Sequence, residues 1–202
     1  MTITSIKSES SGDQRRIELS DGSLFSFRIC YLPPVPTAMA EGSEISAVEE
    51  AAFRFASACL RAEKAALRLI ARAEQCTLGL ARKLEKRGHE TACVNAALSR
   101  LIELKLVDDL RFARLWLESR LRLTRSPRRL LSSLAGRGID REDAQFALKT
   151  VLDEETELAL LTRFAEKHSR KAANRRVEGR SLKYLLKSEG FSPQIIQQFF
   201  DN

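Results

Sequence analysis

The chain is poor in aromatic residues and histidine and has no long apolar run, and each shortage removes a class of function. Phe, Trp and Tyr make up 6% of the 202 residues. They are scarce around the basic clusters, where base-stacking platforms would be needed for sequence readout. Charged residues interrupt the chain so often that no stretch approaches the ~20 apolar residues of a membrane-spanning helix, and no membrane partner is expected. Met1 to Arg16 is polar, without the apolar core of a secretory signal, so a cytoplasmic location is the expectation. Neither GxGxxG nor GxxxxGK[ST] occurs, which removes two common routes to nucleotide binding, and no GxSxG surrounds a serine. His89 and His168 stand beside no nucleophile motif. The expectation is a protein that is not an enzyme and holds no cofactor. Cys30, Cys59, Cys76 and Cys93 stand at least 17 residues apart, so there is no CxxC. Three of them lie in segments that read as helix, where a free cysteine acts as a small buried hydrophobe, and a zinc site of Cys76, His89 and Cys93 lacks a fourth ligand. No metal is expected.

What the chain does have is a hydrophobic fraction of 44%, enough to build a core, and a net charge of +7. The charge is uneven. Residues 1–45 carry −2, 46–107 and 108–152 carry +4 each, and 153–202 carry +1. A basic middle suits a phosphate backbone, although charge alone also serves solubility.

Near the start, Arg16 to Leu19 and Leu24 to Ile29 alternate apolar and polar residues around Asp21-Gly22, a favoured turn pair. The pattern predicts a β-hairpin, ended by Pro33, Pro34 and Pro36. From Thr37 to Ser126 there is no proline, and residues that favour helix dominate. Ser46 and Glu49 have capping-box spacing, and Phe53, Ala56, Leu60 and Ile70 fall on one stripe of a long helix over about 47–74.

Three glycines then set a repeat. Gly88, Gly138 and Gly190 are 50 and 52 residues apart. Leucines stand eight and four residues before each, at 80 and 84, 130 and 134, and 182 and 186. Leu98, Leu148 and Phe200 stand ten residues after. Arg111-Phe112-Ala113 recurs as Arg163-Phe164-Ala165. Leucines four apart share a helical face, and glycine behind them supplies the left-handed closing conformation. The expected fold is therefore mainly α: three tandem tri-helical, helix-turn-helix-like repeats in an elongated array, preceded by the hairpin. The expected divisions are 1–45 for hairpin and proline-rich connection, then repeats at 46–107, 108–152 and 153–202.

The sharpest functional signal is basic. From Ser119 through Ile139 there are six arginines, Arg120, Arg122, Arg125, Arg128, Arg129 and Arg137, and no acidic residue. Arginine suits bidentate contact with phosphate or carboxylate, and the second helix of the repeat should present its N-terminus there as a further anion site. A second cluster contains Lys167, Arg170, Lys171, Arg175 and Arg176, and a third Lys83, Lys86 and Arg87. Asp108-Asp109 reads as a helix cap, and Trp116, Phe112 and Phe164 fall at core spacing.

The string Val107-Asp108-Asp109-Leu110-Arg111-Phe112-Ala113, followed by Arg128-Arg129-Leu130, Leu134 and Gly138-Ile139, resembles the central signature of the RecX regulatory proteins. Arg72, Thr77 and Leu80 to Gly88 resemble that family's first-repeat segment. The hairpin with Glu41 to Ile45 resembles the leader of its longer members. Ser126-Pro127 stands where the family commonly has glycine. The resemblance implies a modulator of the RecA recombinase that binds RecA and the RecA–DNA filament and restrains its ATP hydrolysis and strand exchange, in the setting of recombination, DNA repair and the SOS response. It also implies weak binding of single- or double-stranded DNA without base specificity. A monomer is expected. A free-standing helix-turn-helix DNA-binding regulator and a structural helical-repeat adaptor are the rival classes.

Overall fold

A computed structural model describes residues 1–9, 12–34, 39–172 and 179–201, with the side chains of 169–181 outside the description. The described chain forms two compact units, Met1–Val107 and Asp108–Asn202.

The first unit opens with an antiparallel sheet in the order β1 (Ile3–Ser8), β2 (Gln14–Leu19) and β3 (Leu24–Arg28). The expected hairpin is β2 and β3, with Gly22 at φ +83° in the turn. The sheet has one strand more than expected. Its sequence signal is broken by a bulge between Ile3 and Ser5, after which Ile3 faces Leu19 and Ile6 faces Ile17. Two residues three apart thus share the inner face, and strict alternation does not reveal them. Backbone bonds from Ile3 to Ser43 O (3.0 Å), Gly42 to Ile3 O (2.8 Å) and Ile45 to Met1 O (2.8 Å) run the following segment along β1 and cover its outer edge.

Three helices complete the unit: α1 (Ala47–Ile70), α2 (Thr77–Glu85) and α3 (Thr91–Glu103). Ser46 and Glu49 form the capping box that starts α1. Phe53 of α1 stacks on Phe27 of β3, ring centroids 5.2 Å apart, in a core shared with Ile3, Ile17, Leu19 and Ala97. A second core joins Leu80 and Leu84 of α2 to Ala66, Leu98, Leu101 and Val107. Polar groups also bind the sheet to the helices. Glu63 of α1, with 3% of its side chain exposed, accepts from Arg28 Nε (2.9 Å) and from the Tyr31 hydroxyl (2.8 Å). Asp13 bridges Arg28 and Arg100, each at 3.4 Å.

The second unit contains α4 (Asp109–Leu121), α5 (Pro127–Ala135), α6 (Arg141–Val151), α7 (Glu154–Ala172), α8 (Gly179–Ser188) and α9 (Pro193–Asp201). From α4 to α6 the buried side chains include Ala113, Leu117, Ser126, Pro127, Leu130, Leu134, Ile139, Ala144 and Ala147. In α7 to α9 they include Leu160, Leu161, Phe164, Ala165, Leu186, Phe191, Ile195 and Ile196, and Leu121 and Leu152 pack against that cluster.

The repeat glycines act alike in both units. Gly88, Gly138 and Gly190 have φ of +86°, +81° and +87°. In each case the next residue donates its amide to the carbonyl of the leucine four before the glycine: His89 to Leu84, Ile139 to Leu134 and Phe191 to Leu186, all at 3.2 Å. This closes α2, α5 and α8 identically and turns the chain into α3, α6 and α9.

Candidate nucleic-acid and filament interface

The signature string is built into the start of α4. Asp108 is the cap, its carboxylate accepting from the Arg111 amide at 2.8 Å, and Asp109 lies in the first turn where the helix dipole favours a negative charge. Ala113 is fully buried, as is its counterpart Ala165 in α7, beside Phe164. These residues set the helix that carries Arg120 and leads into the arginine-rich turn.

Arg122, Arg125 and Arg129 are exposed around the α4–α5 turn. None of the three makes an ion pair among the described residues. Arg128 is also exposed, but it is tied down: its backbone amide donates to Glu189 O at 3.0 Å and its guanidinium to Ser188 O at 3.4 Å. That contact corrects the expectation of a free anion site at the N-terminus of α5. The Arg129 amide is taken by the Ser126 hydroxyl, the Arg128 amide by Glu189, and the Ser126 hydroxyl donates in turn to the Glu189 carboxylate. The turn between α8 and α9 has filled the position.

Trp116 corrects a second expectation. It is half-buried, and two arginines of the acid-free run lie on it: the Arg137 guanidinium 4.6 Å from the ring centroid and that of Arg120 5.7 Å away. Arg137 is also held by a 2.7 Å bond from Nη1 to Ser133 O. The Trp116–Arg120 spacing of four is visible in the sequence and could have disclosed half of this cluster. The Arg137 contact depends on how α5 packs against α4. Phe112 is likewise half-buried, whereas Phe164 is in the core as expected.

In the first unit, Lys86 and Arg87 are exposed at the end of α2, and Lys83 donates to Gln75 Oε1 at 2.6 Å. Lys167 is exposed on α7. The side chains of Arg170, Lys171, Arg175 and Arg176 lie outside the described residues. Among the described residues, no three His, Cys, Asp or Glu side chains gather as metal ligands, and no helix is long and apolar enough to cross a membrane. Cys59, Cys76 and Cys93 are buried. Burial, and then the neighbouring Cys93, push the Cys59 thiol up to about 12, far from the range of a reactive thiolate.

Known proteins resemble this chain in sequence and in fold. The family domain described as RecX, second three-helix domain, matches residues 108–148, from the cap of α4 through most of α6. Regulatory protein RecX from Treponema pallidum (strain Nichols) is 35% identical over 145 residues, which are 71% of this chain and 86% of the relative. Regulatory protein RecX from Pseudomonas fluorescens is 31% identical over 138 residues, 67% and 86% of the two chains. The chain belongs to the RecX family. Its fold agrees: a crystal structure of regulatory protein RecX aligns over 100% of this chain and 99% of its own with a TM-score of 0.74 at 21% identity. RecX from Lactobacillus salivarius aligns over 71% and 95% with a TM-score of 0.58 at 20% identity. In this RecX chain the acid-free arginine run therefore extends from the last residues of the first helix of the matched domain through its second helix.

Proposed function

We propose that the chain is a non-catalytic modulator of the RecA recombinase, binding RecA and RecA–DNA filaments and restraining ATP hydrolysis and strand exchange. One observation carries the reading beyond family membership. Arg122 and Arg125 in the α4–α5 turn and Arg129 in the first turn of α5, which Ser126 caps, are exposed and make no ion pair among the described residues. Arginines left unneutralised in this way pay little desolvation to meet phosphate or an acidic protein surface, and several acting together give a contact that weakens with salt.

Repeating tri-helical units suit a partner that itself repeats. Lys86 and Arg87 follow α2 as Arg122 and Arg125 follow α4, so separate parts of the chain offer basic edges. Linked contacts reinforce one another by effective concentration. In this reading the divisions 46–107, 108–152 and 153–202 are the contacting modules, and the sheet before them is a support for α1. The test is a pull-down of the full chain with RecA and single-stranded DNA, with and without nucleotide. Retention that requires RecA in its DNA- and nucleotide-bound state supports the filament reading. Equal retention on naked DNA favours a free-standing DNA-binding regulator, and retention on neither refutes both.

A further inference from the structure

The solvent face of α1 changes character along its length. It begins as a stable helix surface would, with Glu50 and Arg54 paired one turn apart. Beyond Arg54 the pairing stops. Arg61, Lys64 and Arg68 on the helix and Arg72 in the turn after it are all exposed, and none makes an ion pair among the described residues. The one carboxylate in the sequence between Arg54 and Ala73 is that of Glu63, which is buried against Arg28 and Tyr31. Steps of three, four and four residues set the four cations in a single row, and like charges at these spacings lower helix stability. The negative end of the helix dipole offsets that for Arg68, in the last turn, and for Arg72 beyond it. Arg61 and Lys64 stand in mid-helix, where nothing does. A row kept against the preference of its own helix is accounted for by an anion outside it.

We propose that Arg61, Lys64, Arg68 and Arg72 form a docking surface for the phosphate backbone of duplex DNA. This goes beyond the filament reading, because it gives the first unit a nucleic-acid contact of its own, apart from the arginines around α5. The row covers about 16 Å at ~1.5 Å per residue. One strand of a duplex places a phosphate every ~3.4 Å along its axis, so about five phosphates face the row. An even line of cations suits a polymer whose charge is itself evenly spaced. No aromatic residue occurs between Arg61 and Arg72, which leaves no platform for the bases of a single strand. A single strand would have to be ordered along the row by charge alone, whereas a duplex already holds its phosphates in line. Ala65 lies between the cations and keeps the surface low for a close backbone approach. At the far end Lys83 of α2 donates to Gln75 Oε1 at 2.6 Å, which continues the basic surface past Arg72. With no carboxamide in the row, the contact carries no base preference.

The test uses the full chain and a dye-labelled duplex of mixed sequence, with binding followed by fluorescence anisotropy as salt is raised. Arg61→Gln/Lys64→Gln removes the two mid-helix cations, and its duplex binding should lose about 1.8 of log-log salt slope, at ~0.9 per phosphate contact. Its binding to oligo-dT should keep its slope. Lys64→Glu separates a docking role from a structural one. It places a carboxylate one turn before Arg68, so thermal unfolding should occur at an equal or higher temperature while duplex binding weakens. No duplex binding by the full chain would overturn the proposal, as would an unchanged slope in the folded double variant. An equal loss of slope on oligo-dT would overturn the assignment to duplex. Polyglutamate binding that the double variant loses while it keeps its duplex binding would also overturn it, and would give the row to an acidic protein surface. The two readings fail separately. A chain that restrains RecA while the double variant binds duplex normally loses only this site. A chain whose duplex binding depends on Arg61 and Lys64 but which has no effect on RecA loses only the RecA reading.

Discussion

At the scale of single residues, the buried carboxylate of Glu63 is the most consequential polar group of the first unit. It ties a strand residue, Arg28, and the Tyr31 hydroxyl to the middle of α1. Glu63→Gln leaves Arg28 facing a neutral partner, so a loss of about 3 kcal/mol is expected from urea unfolding, the scale for breaking a buried pair from one side. Tyr31→Phe removes one hydrogen bond and should cost about 1–2 kcal/mol. The same site makes stability depend on alkaline pH. Burial first, then the bond to Glu63, raise the Tyr31 phenol well above its ordinary value of 10.0. The folded state therefore keeps the proton while the unfolded chain releases it. Stability from this group is complete below pH 10.0 and declines as pH rises further. Ultraviolet absorbance should show Tyr31 ionising only as the chain unfolds, and Tyr31→Phe should remove this part of the alkaline decline. A Tyr31 that titrates in the folded protein would contradict the buried pairing.

At the scale of elements, the junction of α5 with the α8–α9 turn decides how the arginine run is presented. Ser126 caps α5 and donates to Glu189, so Ser126→Ala should cost about 1 kcal/mol for the cap, and more for a Glu189 carboxylate left without its donor. Gly190→Ala must hold a side chain at φ +87°, with its Cβ 3.4 Å from the Arg128 amide nitrogen, for a loss of about 1–2 kcal/mol in thermal unfolding. Gly88→Ala meets nothing within 4 Å and should carry the backbone cost alone. The glycine-registered leucines made the short helices legible in the sequence, because C-caps and i, i+4 stripes are local. The caps at Ser46 and Asp108 were legible for the same reason. The strand β1 was hidden by its bulge. The filling of the α5 N-terminus by Glu189 and the placing of Arg137 on Trp116 were also hidden, because both join residues distant in sequence through packing. The site was legible as a composition, six arginines without an acid, but not as a division of labour among them.

At the scale of the whole molecule, family membership and exposed arginines without ion pairs among the described residues are what support the proposed restraint of a RecA–DNA filament. The contact is expected to be electrostatic in its approach and shared among several modules, so losing a few arginines should weaken it without abolishing the fold. Arg122→Ala/Arg125→Ala/Arg129→Ala is the informative variant, because none of these side chains makes an ion pair within the described protein. Arg128 is excluded from it because of its bonds to Ser188 and Glu189. If about three phosphates are involved, the salt dependence of single-strand binding by this variant should flatten by about two log-log units at ~0.7 each. The most direct measurement is ATP hydrolysis by preformed RecA filaments on single-stranded DNA as the full chain is titrated in. The account predicts that hydrolysis falls at near-stoichiometric ratios, and that the triple-arginine variant requires markedly more protein for the same effect. No fall in hydrolysis with the full chain, or an equal fall with an unrelated protein of the same +7 charge, would contradict it.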